Sequence, residues 1–131
     1  MDKEFVPYEL AVKLKELGFD EPCLGWYVSE SYGLEYGKVI QSDLLRDAVI
    51  APTFHQAFRW FREKHNLMFQ IFYLRNGNYA VPIHRTTPEY MDLVDQVKPS
   101  SGCVDEVVDC YSYEEAELEC LIKLIEIVKN K

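Results

Sequence analysis

Two apolar runs, MFQIFYLR (Met68–Arg75) and NYAVPIHR (Asn78–Arg85), flank the dipeptide Asn76-Gly77. Asn-Gly supplies the positive φ angles of a tight type I′ turn, so this stretch predicts a β-hairpin. A hairpin of that composition belongs to a small antiparallel sheet with an apolar face that other elements must cover. Pro82 has no N–H to give a ladder, which predicts that the second strand lies at an edge or carries a bulge there.

Helical periodicity supplies the cover. Across Ala51–Asn66, a spacing of ~100° per residue puts Phe54, Ala57, Phe58, Phe61 and His65 in one apolar stripe, with Trp60 and then Gln56 on one flank. Pro52 suits the first turn, so the central helix is expected over about 52–66. Ser112 followed by Glu115 is a capping box, with Glu114 and Glu117 complementing the positive end of the helix dipole. It opens a long C-terminal helix, about 113–129, whose apolar positions cover well over half the circumference. A short N-terminal helix, about 7–17, has Leu10, Leu14 and Leu17 as its stripe and Gly18 to end it.

The remaining segments read more briefly. CLGWYVSESYGLEYGKVIQ (Cys23–Gln41) suits two short strands, near Trp26–Glu30 and Leu34–Ile40, with a turn at Ser31–Gly33. Its aromatics, Trp26, Tyr27, Tyr32 and Tyr36, either cover one face of the sheet or line a binding surface. Ser42–Ile50 reads as a turn or short helix. Thr87 caps a short helix ending near Val97, Lys98–Gly102 is a loop, and Val104–Val108 reads as a strand. The expectation is one α+β domain over residues 1–131, its sheet packed by the central and C-terminal helices.

Composition narrows the functional classes. An apolar content of 48% with 14% aromatic residues is ample for a core. No apolar run approaches the ~20 residues of a membrane span, and MDKEFVPYEL has the wrong pattern for a secretory signal, so the expected location is the cytoplasm. A net charge of −8 disfavours non-specific binding to nucleic acid or anionic lipid. Among the 4 cysteines, Cys23, Cys103, Cys110 and Cys120, no Cys-x-x-Cys pair occurs. They read as reduced structural thiols, with Cys103 and Cys110 plus a distant histidine the weaker metal-binding alternative.

No complete catalytic, metal or cofactor motif is present, and GLEYGK lacks the spacing of a phosphate loop. The histidines His55, His65 and His84 would serve an enzyme only by converging from separate segments; His65, on the apolar face, reads first as a packed residue. On the flank of the central helix His55, Arg59 and Arg62 form a cationic ridge. Arg forks suit carboxylate or phosphate, which makes this the candidate binding site; the bland reading is a solvated flank in which Arg59 pairs with Glu63. The wide arc of the C-terminal helix either sits between layers or, through Leu118, Ile122 and Ile125, forms a homodimer interface.

Three stretches together, EPCLGWY (Glu21–Tyr27), APTFHQAFRWFREKHNL (Ala51–Leu67) and the C-terminal YSYEEAELECLIKLIEIVKNK, resemble a family of small bacterial proteins that recur in phages and prophages. That resemblance implies an intracellular, mobile-element setting and assigns no residue a role. The expected function is a non-catalytic module that binds a macromolecule, most simply a protein, with no cofactor. The alternative is a small enzyme with a site assembled around the histidines.

Overall fold

The computed structural model describes residues 2–30, 33–44, 47–85 and 103–130; the expected helix at 87–97 and loop at 98–102 fall outside them. The protein is α+β, as expected, but its strands form two antiparallel sheets where one was expected. Residues group into two compact units, Met1–Ala57 and Phe58–Lys131, with the division falling inside the central helix.

In the first unit, helix α1 (Tyr8–Glu16) is the expected N-terminal helix. Gly18, at φ +100°, ends it: the N–H groups of Gly18 and Phe19 turn back to the carbonyls of Lys15 and Leu14 at 3.0 Å each. Strands β1 (Cys23–Tyr27), β2 (Leu34–Val39) and β3 (Val49–Ile50) form a sheet of order β2-β1-β3. β1 begins three residues ahead of the expected Trp26, running straight through Gly25. The glycine is there for space, because a Cβ at that position would sit 2.9 Å from the Phe5 ring. Phe5 itself bridges Thr53, and the Val6 N–H donates to the Pro52 carbonyl at 2.9 Å.

β3 was not expected, since residues 42–50 read as a turn or short helix. A 3-10 turn (Gln41–Asp43) does begin the segment. The Gln41 side chain then borders the strand: Nε2 donates to the Ala48 carbonyl at 2.9 Å, and Oε1 accepts from the Ile50 N–H at 3.1 Å. The Ala51 N–H goes to Gly25 of β1 at 2.9 Å, so by alternation Ala48 and Ile50 present their backbone groups to the outer edge. One amide thus stands in for a neighbouring strand.

Helix α2 (Phe54–His65) is the central helix. Its cap is Thr53, whose Oγ1 accepts from the Gln56 N–H at 3.2 Å. Pro52 therefore sits one residue before the cap and not in the first turn, because Thr53 carries the oxygen that can satisfy the free N–H groups. Ala57, Phe58, Trp60 and Phe61 are buried, Phe54 is half-buried, and Asn66 ends the helix at φ +56°.

The second unit holds β4 (Leu67–Phe69), β5 (Phe72–Tyr73), β6 (Tyr79–Arg85), β7 (Cys103–Cys110) and helix α3 (Tyr113–Lys129). The expected hairpin is present with a different turn. Leu74 donates to the Asn78 carbonyl at 2.8 Å and accepts from the Gly77 N–H at 3.0 Å, so the loop is the three residues Arg75-Asn76-Gly77. Gly77 takes φ +88° while Asn76 stays at negative φ, which excludes the type I′ turn. This is a type I turn followed by a left-handed glycine, the other short geometry compatible with strand twist.

β6 is not an edge strand. Of the two outcomes Pro82 suggested it shows the other, with register shifts against β7 on either side of the proline, between Tyr79 and Val81 and between Ile83 and His84. β4 and β5 flank it on one side and β7 on the other, since Ile83 is opposite both Phe69 and Asp105, and Tyr79 opposite both Tyr73 and Cys110. β4 and β5 keep one continuous offset against β6 and are one strand interrupted at Gln70–Ile71. The interruption faces Pro82. Gln70 donates to the Pro82 carbonyl at a long 3.4 Å and receives nothing back, because proline has no N–H.

Alternation along this sheet puts Leu67, Phe69, Val81 and Ile83 on one face, and Leu67, Val81 and Ile83 are wholly buried. α3 packs against β6 and β7 and buries Ala116, Cys120, Leu121, Leu124 and Ile125. Phe58 of α2 meets Phe69 of β4 edge-on, with ring centroids 4.4 Å apart. The capping box forms with one change: Ser112 Oγ accepts from the Glu115 N–H at 3.1 Å, while the Glu115 carboxylate accepts from Tyr111, one residue before the cap, at 2.9 Å.

Two substitutions test these assignments by urea denaturation. Gln41→Leu leaves the buried Ile50 N–H unpaired and is expected to cost about 1–3 kcal/mol. Phe61→Ala, at a fully buried ring, is expected to cost about 3–5 kcal/mol. An unchanged midpoint in either variant contradicts the packing described.

Candidate functional site

Helical geometry turns His55, Arg59 and Arg62 to one side of α2 and Ala57, Phe58, Trp60 and Phe61 to the other. The three cations follow each other at four and three residues, spanning roughly 10 Å along the axis at ~1.5 Å per residue. All three are exposed. Among the described residues no ion pair or hydrogen bond engages any of their side chains, so the Arg59–Glu63 pair that would neutralise the ridge is not formed. Arg62, with Lys64 and His65, also stands in the last turn, where positive charge complements the helix dipole.

The neighbouring flank is occupied differently. Gln56 donates through Nε2 to the Pro22 carbonyl at 2.7 Å, a structural use of that side chain. His65 is ringed by aromatics, with Trp60 at 4.8 Å and Phe61 at 5.9 Å between ring centroids, as expected of a packed histidine. His84 is half-buried on β6 opposite Met68. Among the described residues no group of three His, Cys, Asp or Glu side chains is placed to hold a metal ion.

The β1–β2 aromatics are used structurally. The Tyr27 hydroxyl donates to the Val6 carbonyl at 2.9 Å while its ring meets Tyr8 edge-on at 5.6 Å. Tyr36 meets Phe5 at 5.6 Å. Tyr32 lies outside the described residues. On α3, Leu118 and Ile122 are half-buried, and Ile125 is buried. The proposed interface triplet is therefore not an open face, because Ile125 already serves the core.

A second exposed group was not singled out from sequence. Phe72, Tyr73 and Leu74 end the β4–β5 strand in the open, and Tyr73 is 70% exposed. Tyr73 stacks edge-on to Tyr79 at 5.2 Å, and Tyr79 to Tyr113 at 6.2 Å. The signal was available in Leu67–Leu74, eight residues without a charge.

Cys23, Cys110 and Cys120 are buried thiols outside any disulfide; the side chain of Cys103 is outside the description. Burial, helped by the nearby Glu21 carboxylate and opposed by a hydrogen bond from Gln56, pushes the Cys23 thiol up to about 12. Burial also raises Cys120, with Glu117 and Cys110 adding to it. Such thiols are poor nucleophiles and poor metal ligands at neutral pH.

Comparison with known protein families, characterised proteins and solved structures returns no match to this chain.

The thiol environment predicts that at most one of the 4 cysteines reacts with a disulfide reagent in the native protein, and all of them after denaturation. Because the folded Cys23 value lies above its ordinary 9.0, its neutral form favours folding below pH 9.0, and that contribution is lost as pH rises toward 12. Cys23→Ala should flatten the alkaline fall in stability; two or more fast native thiols would refute the assignment.

Proposed function

We propose that the protein is a non-catalytic module that works in the cytoplasm by binding another protein, in a phage or prophage setting. The setting is carried by the resemblance of the three quoted stretches alone. Among the described residues no helix is long and apolar enough to cross a membrane, which is compatible with that location.

The observation that carries the binding reading is the ridge of His55, Arg59 and Arg62, exposed and without internal ion pairs among the described residues, on a chain of net charge −8. Two guanidinium forks on a rigid helix lose little entropy on engaging a carboxylate, so an acidic segment of a partner is the matching chemistry. The surrounding negative charge disfavours long nucleic-acid tracts.

Arg59→Ala/Arg62→Ala should fold with an unchanged denaturation midpoint, since both side chains are exposed, and should weaken recovery of the partner from native cells by tenfold or more, about 1.4 kcal/mol. Unchanged recovery at unchanged stability would remove the ridge from any binding role.

A further inference from the structure

Among the described residues the two sheets have four outer edges, and three are visibly protected. β2 carries Glu35 and Lys38, β3 is bordered by the Gln41 amide, and β7 carries the exposed Glu106. These are the usual devices against edge-to-edge pairing. The fourth edge, β4–β5, is broken at Gln70–Ile71 but has no charge to guard it: residues 67–74 read LMFQIFYL, without charge, proline or glycine. Met68, Phe72, Tyr73 and Leu74 are 43%, 47%, 70% and 36% exposed.

The direction of its backbone groups is fixed by the hairpin. Gln70 and Leu74 donate inward, to Pro82 and Asn78, so by alternation Phe69, Ile71 and Tyr73 turn their N–H and C=O groups outward. Among the described residues no strand pairs with them. That outward row is symmetric about Ile71.

We propose that this edge pairs antiparallel with the same edge of a second copy of the chain, about a two-fold axis at Ile71. Phe69 then pairs with Tyr73 of the other copy, and the two Ile71 residues pair with each other, giving a ladder in which the outward groups of Phe69, Ile71 and Tyr73 are all satisfied. The same register sets Met68 beside Leu74 and Gln70 beside Phe72 across the dyad, covering apolar side chains that the single chain leaves in water. Two bodies of charge −8 repel at most surfaces, and this uncharged strip lets them meet without opposing like charges. A symmetric self-pairing is also the commonest form of oligomer. It uses none of the ridge residues and stands apart from the proposed partner binding.

Sedimentation equilibrium of the full chain at high micromolar concentration should give twice the chain mass. Ile71→Pro removes the central outward N–H without touching a bond to β6, and Tyr73→Glu adds a carboxylate at the exposed end of the row. Each should weaken self-association by roughly tenfold or more. Should Ile71→Pro fail to fold, Tyr73→Glu and concentration-dependent amide exchange at Phe69, Ile71 and Tyr73 decide the matter: protection rising with concentration supports the pairing. A monomeric wild type, or a dimer that folded Tyr73→Glu leaves at full strength with those amides unprotected, overturns it.

Discussion

The second unit depends on register. A slip of one residue in the 67–85 hairpin would put Met68, Gln70, Pro82 and His84 where Leu67, Phe69, Val81 and Ile83 now lie. Ala116, Cys120, Leu121 and Leu124 of α3 would then have no apolar floor. What prevents the slip is local: Gly77 in the left-handed region closes the loop with Leu74 opposite Asn78, and the offset set there holds out to Leu67 opposite Arg85. The turn thus decides which residues reach the core, and also which amides face outward at the edge.

Pro82 shows how a central strand accommodates a residue that should break it. Its missing N–H points to the β4–β5 side, so the loss is confined to one rung, and β7 pairs with β6 across the same stretch. The defect divides one strand into β4 and β5 without shifting either. A shift would have been far more destructive than a gap, since a gap forfeits one hydrogen bond while a shift exchanges two faces.

Much of this was legible where local chemistry and periodicity agree. α3 occupies 113–129 as expected because its cap, its dipole-complementing acids and its apolar positions all specify one helix. The outward direction of His55, Arg59 and Arg62 follows from helical period alone. What could not be read depends on distant residues. Asn-Gly is compatible with both two- and three-residue loops. Of the two outcomes open to Pro82, an edge or a bulge, the edge is excluded because β7 comes from some twenty residues further on, and the pairing with β7 is irregular instead. Gln41 borders a strand only once Ala48 and Ile50 are known to form an edge. The missing Arg59–Glu63 contact is a matter of rotamers, which spacing does not fix.

The anchoring of Phe5 and Val6 has a consequence for how the ridge helix is held. Val6 donates to the carbonyl of Pro52, Phe5 bridges Thr53, and Thr53 caps α2 one residue later. Phe5 and Val6 therefore act as a clasp on the start of the helix that bears His55. Proteolytic trimming past Val6 would do more than shorten the chain: it would release the first turn of that helix, leaving the chemistry of His55 untouched while blurring where it points.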